Sequence, residues 1–90
     1  MLPHYDIRVQ GRVQGVFFRA STQKEALRLG LKGFVKNVYD GTVYIEVEGE
    51  QQKIDQLLKW IGQGGPPRAE VFNYDCNAGD FKDYKSFEIR

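Results

Sequence analysis

The chain has 90 residues, 41% of them hydrophobic and 28% charged, with a net charge of +1. That size and balance suit one globular domain over residues 1–90 with a single modest core. The near-zero charge supplies no general electrostatic reason to expect a nucleic acid or a membrane surface as partner. Cys76 is the only cysteine, so an internal disulfide is excluded and a reducing compartment is expected. Met1 to Asp6 lacks the apolar run of a signal peptide, and no stretch is long and apolar enough to span a bilayer. A cytoplasmic monomer is the expectation.

Residues 4–10 alternate as a strand should, with Tyr5, Ile7 and Val9 on one face and Asp6, Arg8 and Gln10 on the other. Residues 11–18, from Gly11 to Phe18, then form a loop. A helix is predicted from Phe18 to about Leu29, with Phe18, Thr22, Ala26 and Leu29 on its buried face. Phe34 to Val38 reads as a second strand, Asp40-Gly41 as a turn, and Thr42 to Glu48 as a third strand. In that third strand Val43, Ile45 and Val47 are expected to face inward, and Tyr44, Glu46 and Glu48 outward. A second helix over residues 50–61 carries Ile54, Leu57, Leu58 and Ile61 at i, i+3, i+4, i+7 spacing, with Trp60 at the edge of the stripe. After a Gly/Pro loop at 62–67, residues 68–76 read as a fourth strand, 77–80 as a turn and 86–89 as a short last strand.

This order predicts an α+β, ferredoxin-like βαββαβ sandwich: an antiparallel sheet with two helices on one face and a short extra C-terminal strand. The topology has a functional consequence. A right-handed crossover makes the first and second strands parallel, and the third fits between them in the opposite direction. The loop after the first strand and Asn37 near the end of the second therefore meet at one edge of the sheet.

A strand, a glycine loop and a helix N-terminus together can bind an anion. Successive N–H groups converge there, and the first helical turn leaves its own amides unpaired. The amides of Gln14, Gly15, Val16, Phe17, Phe18 and Arg19 are the candidates, and Arg19 can add a bidentate grip on phosphate or carboxylate. Plainer readings stand beside these. The glycines can mark a simple turn, Arg19 can pair with a surface carboxylate, and Asn37 can cap the Asp40-Gly41 turn. Phe17 and Phe18 could stack on bases, but the aromatic signature of RNA-binding sheets is missing. His4, the only histidine, is expected to be exposed and without a role. Cys76 has no adjacent base, and the Asp and Glu residues lack metal-ligand spacing.

Gly11-Arg12-Val13-Gln14-Gly15-Val16-Phe17-Phe18-Arg19, then Leu29 to Val35, then Asn37 followed by Asp40-Gly41, together resemble the acylphosphatase family. Gly65 to Val71 and Phe87 to Arg90 extend the resemblance over nearly the whole chain. It implies hydrolysis of acyl phosphates to carboxylate and inorganic phosphate, with no metal and no cofactor. It assigns phosphate binding to Arg19 and orientation of the attacking water to Asn37. The chemistry is self-consistent. Phosphoryl transfer needs charge stabilisation and an in-line nucleophile. Without an evident general acid the leaving group must be a good one, and a carboxylate, whose acid has a pKa of roughly 4, qualifies. A non-enzymatic binding module of the same fold, a carbamoyl-phosphate-handling domain like that of hydrogenase-maturation proteins, and an RNA-binding module are the competing classes. The start at Met1 and the end just after the last strand favour a free-standing enzyme over a domain of a longer chain.

Overall fold

The computed structural model describes residues 1–90. Its elements are β1 (His4–Arg12), α1 (Phe18–Arg28), β2 (Lys32–Asn37), β3 (Val43–Glu48), α2 (Gln51–Gly62), β4 (Glu70–Gly79) and β5 (Phe87–Ile89). The strands form one sheet in the order β4-β1-β3-β2-β5. β3 pairs antiparallel with both β1 and β2, so those two run parallel to each other with β3 between them. β4 pairs antiparallel with β1, whereas β5 runs parallel to β2, which makes the sheet mixed. The ferredoxin-like order with an added terminal strand is as the sequence predicts.

Strand alternation and helical periodicity converge on one core. Ile7, Val9, Val35, Val43, Ile45 and Val47 line one face of the sheet. Phe18, Ala26 and Leu29 from the first helical segment and Ile54, Leu57 and Ile61 from α2 pack onto them, all buried. Each of these side chains larger than alanine contributes roughly 1.5–3 kcal/mol relative to exposure. Trp60 sits at the rim, its ring 5.8 Å from that of Phe18. Thr22 lies on the same buried face of α1, and its hydroxyl finds no hydrogen-bond partner.

Several boundaries differ from expectation: β2 spans Lys32–Asn37 where Phe34 to Val38 is predicted, and β4 begins at Glu70 and not at residue 68. β1 continues past Gln10 to Arg12, and β4 continues to Gly79 through residues read as a turn. The cause is pairing: nearly all of β1 finds partners on β4, from His4 opposite Gly79 to Arg12 opposite Glu70, with a bulge at Gln10/Gly11. Gly11 serves that bulge, because a Cβ there would stand 2.1 Å from the carbonyl oxygen of Glu70.

The helix-free face holds the main surprise. His4 is not exposed: it is 2% accessible, and Glu48 and Glu46, expected to face solvent, are also buried. The alternation puts these residues on the right face, but the chain after β4 crosses back over it. The Nδ1 of His4 donates to Glu48 at 2.8 Å, and the amides of Lys82 and Tyr84 donate to the same carboxylate. Glu46 accepts from the hydroxyls of Tyr84 (2.7 Å) and Tyr44 (2.8 Å) and from Lys82 Nζ (3.1 Å). Burial works to raise both carboxyls. The donors outweigh it, so each is held below the ordinary glutamate range.

Two outcomes follow for stability. A carboxyl held low in the folded state stabilises it above its unfolded pKa, and that contribution is lost as pH falls through the lower folded value. Urea stability should therefore drop as pH is lowered from about 5 to 3, the range in which ordinary glutamates protonate. Glu48→Gln should be less stable at pH 7 and show a flatter pH profile. Thr22→Val, which removes an unpaired buried hydroxyl at constant shape, should gain about 1 kcal/mol in the same denaturation assay.

Candidate active site

The C-terminal ends of β1, β2 and β5 lie at one edge of the sheet, because all three strands point the same way. A cleft of ≈ 300 Å³ opens there, lined by Val13, Gly15, Phe17, Phe18, Arg19, Ala20, Asn37 and Ile89. Arg19 and Asn37, 18 residues apart in the chain, thus share one cavity.

The loop between β1 and α1 has unusual backbone geometry. Gly15 has φ 74° and Phe17, the residue before the helix, has φ 63°. Gly15 has open space where a Cβ would stand, so its need is conformational and not steric. A left-handed phenylalanine costs about 1–2 kcal/mol and persists only where its surroundings impose it. Turns of this kind can present successive amides to one concavity as a nest. None of the amides from Val13 to Phe17 donates to an oxygen of the chain, and the first helical bond is Ser21 N–H to Phe17 C=O at 3.0 Å. The N–H groups of Phe18, Arg19 and Ala20 come before any intrahelical acceptor.

Arg19 is exposed and takes part in none of the chain's ion pairs or side-chain hydrogen bonds, unlike Arg28, which binds Glu25 at 2.7 Å. Asn37 also makes no side-chain hydrogen bond. The capping role open to it in the sequence belongs to Asp40, whose carboxylate accepts from the Thr42 amide (3.0 Å) and hydroxyl (2.7 Å). Those bonds hold the Asp40 carboxyl below its usual range.

Of the six residues proposed for their amides, Gly15, Phe17, Phe18 and Arg19 line the cleft. Val16 is half-buried and packs against the core. Gln14 does something the sequence did not indicate. Its side-chain amide donates to the carbonyl of Val38 (2.6 Å) and to that of Thr42 (2.9 Å), tying the loop to the β2–β3 connection that follows Asn37. Val13, Ala20 and Ile89 are further lining residues that the sequence analysis missed. Ile89 had one signal, its place in a predicted last strand, but the pairing that sets it beside Val35 is a tertiary fact.

No Asp, Glu, His, Lys or Cys lines the cleft. His4, Asp6 and Glu46 do bring ligand atoms within 4.8 Å of one another on the opposite face. There the Oε1 of Glu46 is already occupied by Tyr84 and Lys82. The exposed Cys76 thiol lies outside the cleft and is pushed up by desolvation and by the Asp6 and Asp55 carboxylates, which disfavours a thiolate.

A family model described as Acylphosphatase matches residues 5–89. The chain belongs to the acylphosphatase family. An acylphosphatase of Anaeromyxobacter sp. (strain Fw109-5) is 46% identical over 85 residues, covering 93% of this chain and 90% of that protein. The structure of an acylphosphatase from Coxiella burnetii superposes with a TM-score of 0.94 at 39% identity, covering 99% of this chain and 93% of the other. Full-length HypF, in its phosphate- and nucleotide-bound form, contains a similar domain: TM-score 0.89, 30% identity, all of this chain but 12% of that one.

If Gln14 holds the loop against the β2–β3 turn, Gln14→Ala should cost about 1–2 kcal/mol, the net worth of two hydrogen bonds. It should also accelerate amide hydrogen exchange selectively at Ser21, Val38 and Gly41, the hydrogen-bonded amides that flank this tie, with α2 unaffected.

Proposed function

We propose that this chain hydrolyses acyl phosphates to a carboxylate and inorganic phosphate, with the phosphoryl group held by Arg19 and the amides of residues 14–19. Asn37 aims the attacking water. The observation that carries this reading is the composition of the cleft: its one charged group is an Arg19 without a protein partner, beside a run of amides without acceptors. An anion with several oxygens matches that donor set in sign and number.

The reaction follows from what the cleft contains. Fixed amide dipoles and the guanidinium stabilise charge on the equatorial phosphoryl oxygens as the bond to the leaving group lengthens. Asn37 accepts a hydrogen bond from the water and points its lone pair at phosphorus. An amide does not remove the proton, so the proton leaves late, to the phosphoryl oxygens themselves. With no general acid among the lining side chains, an alkoxide leaving group is disfavoured. A carboxylate departs without protonation, because its conjugate acid has a pKa of roughly 4. The reading extends to the whole molecule as a single-domain cytoplasmic monomer that needs no nucleic-acid partner. Its net charge of +1 and single unpaired cysteine support this, and none of its helices is long and apolar enough to cross a membrane.

The roles of the two side chains separate in one experiment. Arg19 contacts phosphoryl oxygens in the ground and transition states, so Arg19→Ala should raise the inhibition constant of inorganic phosphate and lower kcat together. Arg19→Lys keeps the charge without the planar fork and should rescue only in part. Asn37→Ala should lower kcat by about 10²–10³, the scale of losing one positioned hydrogen-bonding group, with phosphate inhibition close to wild type. Lost phosphate binding with near-normal turnover in Asn37→Ala would move Asn37 into the binding shell and leave the water without its guide.

A further inference from the structure

We infer that Arg8 is a positioning residue for Asn37: it reaches from β1 along the helix-free face and, through Thr42 and Asp40, fixes the turn that follows Asn37. The inference rests on the acyl-phosphate reading above, in which Asn37 aims the water, and goes beyond it to what holds Asn37 in place.

Asn37 is exposed and its side chain has no partner in the chain, so its direction follows from its backbone. That backbone is the last rung of the β2–β3 ladder, Asn37 opposite Val43, and the chain turns immediately beyond it. Little apolar packing holds the turn. Tyr39, Asp40 and Gly41 are exposed, Val38 and Thr42 are half-buried, and none of residues 38–42 belongs to the hydrophobic core. Hydrogen bonds must do the holding instead. The Val38 amide donates to the Thr42 carbonyl at 2.9 Å, and the Gly41 amide to the Val38 carbonyl at 3.0 Å. Those bonds close the turn on itself, but they do not fix where it sits against the rest of the sheet.

Two side chains supply that anchorage. Gln14 is one, from the loop before α1. Arg8 is the other. It stands opposite Tyr44 in the β1–β3 ladder, with its guanidinium 5.5 Å from the centre of the Tyr44 ring. Its Nη1 donates to the Thr42 hydroxyl at 2.9 Å, and that hydroxyl donates onward to the Oδ1 of Asp40 at 2.7 Å. Guanidinium, hydroxyl and carboxylate thus form one chain of donation, in which each bond polarises the next. The same Nη1 lies 3.7 Å from the other carboxylate oxygen of Asp40. An exposed ion pair at that distance contributes little stability. Its consequence is geometric. β1, which leads into the anion loop, grips the turn through Arg8 on the helix-free face, while Gln14 grips it from the loop. The phosphoryl cradle and Asn37 are thereby held in one frame. A misplacement of about 1 Å between reacting groups can cost about 10²-fold in rate, so a loosened turn registers in turnover.

The experiment measures kcat for acetyl and benzoyl phosphate, corrected for spontaneous hydrolysis, and the inhibition constant of inorganic phosphate. It compares the wild type, Arg8→Met, Asn37→Ala and the double variant. Arg8→Met keeps an unbranched stem against Tyr44 but cannot donate to Thr42. It should lower kcat about tenfold, the cost of a fraction of an ångström at the nucleophile. Phosphate inhibition should stay close to wild type, because the cradle is untouched. In the Asn37→Ala background the same substitution should leave kcat where it was, since a residue that acts through Asn37 then has nothing to position. Asp40→Ala, a change on an exposed turn that leaves the core intact, should reproduce the loss and guards against misfolding of Arg8→Met. Asp40→Asn, which keeps an acceptor for Thr42, should fall between Asp40→Ala and the wild type. Failure of the wild type to hydrolyse either compound would overturn the acyl-phosphate reading itself. Three results would overturn the positioning role and leave that reading intact: unchanged kcat in Arg8→Met and Asp40→Ala, an equal loss with and without Asn37, or a phosphate inhibition constant that rises in step with the loss.

Discussion

The cleft depends on β3 lying between β1 and β2 and running against both. That placement forces β1 and β2 to point the same way, so a loop that leaves one strand and a side chain at the end of the other arrive at the same edge. β5 joins the same edge because it pairs parallel to β2. Three segments distant in sequence thus contribute to one cavity, and each sits at or follows the end of a hydrogen-bonded strand. A site built on sheet ends inherits the rigidity of the ladder beneath it, which matters where a fraction of an ångström decides whether a water is in line.

The loop itself is held in a state that a free chain would avoid. A left-handed phenylalanine and a run of unpaired amides are each unfavourable in isolation. Their cost is met by the surrounding structure: Phe18 and Val13 are locked in the core, and Gln14 is bonded to two carbonyls across the edge. The same anchors explain why Arg19 is free of internal ion pairs. It extends from the first turn of a helix whose buried residues fix its base, while no carboxylate lines the cleft to neutralise it. On the proposed reading, anion binding requires no internal salt bridge of Arg19 to be broken first.

The polar cluster on the helix-free face performs a different task in the same molecule. Glu48 gathers two backbone amides from the segment after β4 together with the ring of His4, and Glu46 gathers two tyrosine hydroxyls and Lys82. This pins the returning chain across the sheet just before it enters β5. The strand that carries Ile89 is only three residues long, so its docking depends on that preceding clamp as well as on its own ladder. Buried carboxylates that look like surface residues in a strand pattern are here the means by which the C-terminal segment is held.

How much of this was legible beforehand divides along a physical line. Local patterns are read from side chains three, four or two residues apart, and those determined the helices, the strands, the buried faces of α1 and α2 and the glycine loop before a helix. The crossover rule extended that reading to one long-range fact, the meeting of Arg19 and Asn37 at an edge, because handedness restricts the topology. What the sequence could not carry were contacts made by irregular backbone. The segment that buries His4, Glu46 and Glu48 has no periodicity to announce its path, and strand alternation names a face without saying what covers it. The Gln14 bonds and the β5 register are of the same kind. They join groups 24 or more residues apart through carbonyls that every residue possesses, so no residue type at either end marks the pairing. Only the packed chain decides which carbonyl is near.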